Sequence, residues 1–361
     1  MIRFLLATLL FGLAGSAPAE NTPPTAPPPV AAPSKPATLL ELWSPAELSG
    51  KPGDEKIKPL KQPDFSPPKQ TSPSGSLPKL PPAALNSVRR VKLPERKKWV
   101  ALTFDLCERA DEVTGYDRRV VNVLREKKAK ATFFAGGKWM RSHADKTMQL
   151  LADPLFEIGN HGWTHGNLRV LSGQPMLDQI LWTQAEYETL RNGLNDKAKA
   201  HGLESEMARI PPQPATLRFP YGTCSEESLH ATNALGLAAI QWDVVSGDPG
   251  GIAPVPRLLR AIRPGSITVF HANGRGKGTA AALPKLIDGL RAKGYEFVTV
   301  SEMLAAGTPE AAATCYELKP GDNQRYDAKF GTGMMRSGQR AAPTSPKTPE
   351  TKVQQAAQPG P

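Results

Sequence analysis

From position 99 onward, short runs of apolar or β-branched residues alternate with longer runs in which apolar positions recur every three or four residues. The short runs, at 99–104, 131–135, 156–159, 216–219, 238–242, 266–270 and 296–298, predict strands. The longer ones, at 118–127, 176–190, 225–235, 255–262 and 279–293, predict helices. Regular alternation of the two over roughly 210 residues predicts an α/β fold, with parallel strands and helices packed outside them as an open sheet or a barrel. The connection at 192–215 is longer than the others and reads as a surface insertion, with shaping of a substrate groove as its alternative.

Ionisable residues interrupt this pattern at the strand ends. Asp105 follows the first strand, His161 the third, Arg218 closes the fourth, Asp243 and Asp248 follow the fifth and His271 ends the sixth. In a parallel barrel those ends meet at one rim, so residues scattered along the chain would share one pocket. His161 and His165 stand four residues apart after a strand, a spacing that lets one turn of backbone offer two imidazoles to a single metal ion. His143, His201 and His230 lie in helical or loop segments and read as ordinary surface or helix residues.

The flanks differ from this body. Residues 1–19 carry a basic start, an apolar stretch and Ala17-Pro18-Ala19, the pattern of an export signal, and the apolar stretch is too short to span a bilayer. Residues 20–98 hold about half of the chain's 37 prolines and almost no aromatics, which predicts a flexible, disordered linker. Its exception is Leu39-Leu-Glu-Leu-Trp43, which could dock on the body or on a partner, or form only a transient helical turn. The body occupies 99–318, and 319–361 is a polar, basic tail, also expected to be disordered. The formal charge of +11 resides on these flanks, because the body holds 24 basic and 24 acidic residues. A neutral body argues against a nucleic-acid module, while basic flanks suit either solubility or attraction to an anionic envelope surface. No further run is apolar enough for a membrane span, and no feature sets the oligomeric state.

Taken in order, Thr103-Phe-Asp105, His161-Gly-Trp-Thr-His165, Arg218-Phe-Pro-Tyr-Gly222, Trp242-Asp-Val-Val-Ser-Gly-Asp248 and Val269-Phe-His271 resemble the five motifs of the polysaccharide deacetylases, the NodB-homology group within carbohydrate esterase family 4. The resemblance covers about residues 97–305 and implies a distorted barrel of seven or eight parallel strands. It also implies metal-dependent removal of acetyl groups from N- or O-acetylated sugars. Asp105 matches the general base, Arg218 the arginine that orients it, His271 the general acid and Asp248 the carboxylate that steers that histidine. Tyr221 matches the position whose backbone amide stabilises the oxyanion. The tryptophan that usually follows Asp248 is Pro249, so Trp163, Trp242 or Trp139 would have to supply the aromatic wall of the acetate pocket.

A second departure concerns the metal. The resemblance implies His161, His165 and an aspartate directly after the base as ligands, but that position is Leu106. Two histidines alone would hold a divalent ion, zinc being the one expected, only weakly. Glu108 is the preferred replacement because it keeps one oxygen beside two imidazoles; Cys107 is an alternative, followed by Asp111 and Glu112. Cys224 lies just after the arginine motif, so a Cys107–Cys224 disulfide would leave Glu108 as the available ligand. The expected function is that of an exported, periplasmic or secreted hydrolase acting on an acetylated polysaccharide such as peptidoglycan. A catalytically silent glycan-binding relative and an amide hydrolase for a small non-sugar substrate are the alternatives.

Overall fold

The computed structural model describes residues 38–330, with side chains through 328; the export signal at 1–19, the stretch 20–37 and the tail from 331 lie outside the described residues. Each of the seven predicted strand segments contains a strand. The main sheet is built from β1 (Ser87–Lys92), β2 (Leu102–Leu106), β3 (Ala131–Ala135), β4 (Phe156–Asn160), β5 (Thr216–Leu217), β6 (Ala238–Ile240), β7 (Val244–Val245), β8 (Thr268–His271) and β9 (Thr308–Ala312). Their order is β7-β8-β2-β3-β4-β5-β6-β1-β9, and only β9 runs antiparallel to its neighbour. The seventh predicted run pairs, as Glu296–Phe297, in parallel with Trp99–Val100.

Three residues separate β6 from β7, so one stretch of chain pairs first with β5 and then with β8 at the opposite edge. The sheet thereby curls into a half-barrel, consistent with the distorted barrel that the family resemblance implied. Asp243 secures the seam: its carboxylate accepts from the Ile267 amide at 2.9 Å and from the Ser266 hydroxyl at 2.9 Å. That residue is therefore structural and not part of a catalytic rim.

Strand alternation divides the interior in two. Leu102, Phe104, Leu106 and Phe133 belong to the apolar cluster shared with the surrounding helices. Phe134 packs instead with Val88, Ile240 and Ile267. Both faces of β2 and β3 are buried, as expected where helices cover a parallel sheet whose interior is filled by side chains. Phe104 lies 5.4 Å from Phe133 and 5.5 Å from Phe270, ring centre to ring centre. Truncating such a buried aromatic costs about 3–5 kcal/mol.

The predicted helices are all present, one of them much extended. The segment predicted at 176–190 belongs to a 29-residue helix, Gly173–His201. It ends where Gly202 takes a left-handed conformation with φ of 67°, which a glycine adopts without steric cost. Much of the supposed long connection is thus helix, and the short helix Glu204–Arg209 follows it.

Residues 38–98 correct the expectation of a disordered spacer. Leu39 and Trp43 are buried in the main cluster, and the Trp43 indole donates to Asp145 at 2.8 Å, so this short motif docks on the body. Ser66 accepts from the Trp163 indole, and Gln70 and Ser74 bond to Glu188. β1 joins the sheet beside β6. A proline-rich chain cannot build a core of its own, but it can lie extended on one and satisfy its polar groups there. The tail is likewise anchored over 319–330, where the helix Arg325–Phe330 forms. Among the described residues, no helix is long and apolar enough to cross a membrane.

Candidate active site

The ends of β2, β4 and β8 and the loops after β5 and β7 surround a cavity of about 460 Å³ lined by Asp105, Cys107, His165, Tyr221, Trp242, Asp248 and His271, among others. At its floor Arg218 is fully buried. Its guanidinium donates to Asp105 Oδ1 at 2.9 Å and Thr103 Oγ1 at 2.6 Å, and to the carbonyls of Gln241 at 3.1 Å and Ile240 at 3.3 Å. It lies over the Phe134 ring, 4.1 Å from its centre. A planar donor fixed at so many points leaves its carboxylate partner little freedom, and so Asp105 is aimed.

His271 forms the second pair. Its Nδ1 bonds Asp248 Oδ1 at 2.8 Å, while Asp248 Oδ2 accepts from the His271 amide at 2.7 Å and from Thr279 Oγ1 at 2.7 Å. Burial would lower the imidazole pKa, but the Asp248 carboxylate outweighs it and holds His271 well above its ordinary value. The ring therefore presents Nε2 as a proton donor.

Between these pairs lie three potential metal ligands. One ligand atom each from Cys107, His161 and His165 can be chosen so that all fall within 4.8 Å of one another. Cys107 Sγ is 3.5 Å from His161 Nε2. That is near the edge, about 3.6 Å, of a tetrahedron built from zinc–sulfur bonds of about 2.3 Å and zinc–nitrogen bonds of about 2.0–2.1 Å. His161 Nδ1 donates to the Arg218 carbonyl at 2.8 Å, which leaves the Nε2 lone pair facing the thiol. Burial would push the Cys107 thiol up, but the neighbouring His165 and His161 hold it well below the ordinary cysteine value. One anion with two imidazoles fits a divalent cation.

Glu108, the preferred third ligand on sequence grounds, points elsewhere. Its carboxylate, fully buried, accepts from Lys138 Nζ at 2.8 Å, Ser142 Oγ at 2.6 Å and the Thr114 amide at 2.9 Å. Those bonds engage both of its oxygens. Asp111 and Glu112 are also engaged, with Arg109 at 3.0 Å and 3.4 Å. The disulfide differs too: Cys224 pairs with Cys315, and Cys107 is free.

His165 and Tyr221 both hold left-handed backbone, with φ of 55° and 58°. This is uncommon outside glycine and concentrates at functional sites. Their rings meet edge to face at 4.3 Å. Gly222 follows with φ of 62°, and a Cβ there would come within 2.8 Å of the Trp242 ring. Of the three candidate aromatic walls, Trp242 lines the cavity; the indoles of Trp139 and Trp163 donate to Gly115 and Ser66. Sequence reasoning missed Arg109, Arg275, Glu317, Arg325 and Tyr326, which also line it. The connection at 192–215 contributes none of the lining residues.

A family model described as polysaccharide deacetylase matches residues 92–201. Over those residues the chain is similar to the polysaccharide deacetylases. It is 29% identical over 273 residues to a peptidoglycan-N-acetylglucosamine deacetylase from Listeria monocytogenes, covering 74% of this chain and 50% of that protein. A chitooligosaccharide deacetylase from Sinorhizobium fredii is 28% identical over 191 residues, 49% of this chain and 80% of that one. The chain spans about half the length of the Listeria relative. Among solved structures, a family 4 carbohydrate esterase from Bacillus anthracis aligns at 24% identity over 67% of this chain and 100% of that chain, with a TM-score of 0.46. The motif residues Asp105, His161, His165, Arg218, Asp248 and His271 gather at one place, and Cys107, the residue after Leu106, joins them.

Proposed function

We propose that this chain is a metal-dependent hydrolase that removes acetyl groups from N- or O-acetylated sugars of an envelope or secreted polysaccharide such as peptidoglycan. The observation that carries this reading is the pairing of a base and an acid across one cavity: Asp105 held by Arg218 at 2.9 Å, and His271 held by Asp248 at 2.8 Å. Asp105 takes the proton of the attacking water, with Arg218 fixing the lone pair that receives it. His271 then protonates the departing sugar nitrogen or oxygen through Nε2, because Nδ1 is committed to Asp248. A divalent ion held by Cys107, His161 and His165, zinc being favoured by the thiolate, would acidify water and polarise the acetyl carbonyl. Tyr221 is assigned the oxyanion contact through its backbone amide. Trp242 is assigned the wall beside the acetyl methyl.

Action outside the cytoplasm is supported by the Cys224–Cys315 disulfide, since such bonds persist in oxidising compartments. The basic flanks suit an anionic envelope. Purified protein should release acetate from soluble peptidoglycan fragments or acetylated chitooligosaccharides, lose that activity on chelation and regain it with zinc. Bound zinc without acetate release from any acetylated glycan would refute the reading and favour a silent glycan-binding protein.

A further inference from the structure

One wall of the cavity is built by none of the deacetylase motifs. Glu317, Arg325 and Tyr326 line it, and all three come from the segment after Cys315. This segment is fastened to two active-site loops. Cys315 is bonded to Cys224, and the fully buried Asn323 donates to the Gly222 carbonyl, in the loop that carries Tyr221. Arg169 reaches Asp327 Oδ2 at 2.9 Å and Asn323 Oδ1 at 2.7 Å, and Asn167 donates to Asp327 at 2.8 Å, in the loop that carries His165. The Tyr326 ring lies 5.6 Å from the Tyr221 ring, which itself touches His165.

We propose that this strap, with Tyr326 and Arg325 as its contact residues, binds the sugar next to the one being deacetylated, so that the site reads a polymer and not a free acetylated sugar. The inference rests on the deacetylase reading and adds to it the residues that select a polymer. The chemistry of the wall suits a pyranose: an aromatic face for its apolar C–H surface, flanked by a guanidinium and a carboxylate for its hydroxyls. Arg325 stacks over the Tyr326 ring at 4.5 Å and pairs with Glu317 at 2.6 Å, and the Tyr326 hydroxyl donates to Glu317 at 2.6 Å. The three side chains thus hold one another in place before any ligand arrives. Arg325 is exposed and Tyr326 half-buried, which puts them at the mouth of the cavity beyond the catalytic pairs. A wall tied covalently at one end and by a forked guanidinium at the other loses little freedom on binding.

Binding of tetraacetylchitotetraose, soluble peptidoglycan fragments and free N-acetylglucosamine to the zinc-loaded full chain tests this, using an Asp105→Asn background so that the ligands survive. Tyr326→Ala and Arg325→Ala should each weaken the two polymeric ligands about three- to tenfold. Both should leave the monosaccharide unchanged, and Tyr326→Phe should bind close to the parent. Equal weakening of polymer and monosaccharide, or no weakening of either, overturns the assignment of the strap while leaving acetate release intact. Failure of the parent to bind any of the ligands, with no acetate released by the wild type, overturns the deacetylase reading itself and the strap with it.

Discussion

Glu108 and Cys107 are neighbours in sequence with opposite duties, and their substitution should give opposite phenotypes. Glu108→Ala removes the partner of a lysine that is almost wholly buried, the two side chains being 0% and 2% exposed. Breaking a buried ion pair by deleting one member costs about 3–5 kcal/mol, because the other charge stays in a medium of low polarity. The Ser142 hydroxyl and Thr114 amide lose their acceptor in the same step. Cys107→Ala instead removes one buried sulfur, a loss of about 1 kcal/mol in metal-free protein. Urea unfolding of chelated protein should therefore show Glu108→Ala as the severe variant. Elemental analysis of the folded, reloaded proteins should show the reverse: zinc retained near one equivalent in Glu108→Ala and largely lost in Cys107→Ala. Glu108→Leu combined with Lys138→Met should recover stability, with a coupling of about 2–3 kcal/mol. Zinc lost from folded Glu108→Ala but kept by Cys107→Ala would refute the reasoning.

Two further outcomes follow from the same geometry. Asp248 raises the His271 pKa, so the acid form survives above the ordinary imidazole range and activity falls only as pH rises through the elevated value. Asp248→Asn should move the alkaline limb of the kcat/KM profile for acetate release to lower pH, and an unmoved limb would remove His271 from the role of acid. The Cys224–Cys315 bond closes a loop with a sequence separation of 91. In the chain-entropy account a loop of that length stabilises by about 4–5 kcal/mol. Cys315→Ala should lose much of this in guanidinium unfolding, and reductant should then have no further effect; a loss below about 1 kcal/mol would contradict it.

The barrel strands were legible because each is an apolar run bounded by polar turns, and a sheet buried on both faces requires that composition. β1 was not, although Val88 and Val91 are both fully buried in it. It stands in a proline-rich stretch that reads as a linker, yet its Arg89 packs over Tyr316 at 3.7 Å and donates to two carbonyls near the strap. β9 left no trace because its side chains are exposed or half-buried, and it is held to β1 by its backbone and by the Glu310–Arg90 ion pair. The long helix outran its predicted end because the added turns bury only Leu194 and Ala198, too sparse a stripe to register as amphipathic. The motif residues found one another as their order implied. The strap was invisible because a polar segment anchored by a disulfide and by arginine forks carries no hydrophobic pattern, and cysteine pairing cannot be read from spacing.

The proposed third ligand could have been found by a more local rule. Side chains alternate along a strand, so residues two apart share a face. Thr103 and Asp105 both meet Arg218 inside the barrel, and Cys107, the next position of that series, meets His161. Leu102, Phe104 and Leu106 form the other series, and all three lie in the apolar cluster under the helices. A leucine after the base is thus what an uninterrupted strand demands at a core-facing position, and the same alternation carries a cysteine to the metal side. Replacing aspartate by cysteine preserves one negative charge among two imidazoles while exchanging a hard oxygen for a soft sulfur. The strand runs through Leu106, which buries that side chain in the apolar cluster, and Cys107, the next residue, lies beside His161.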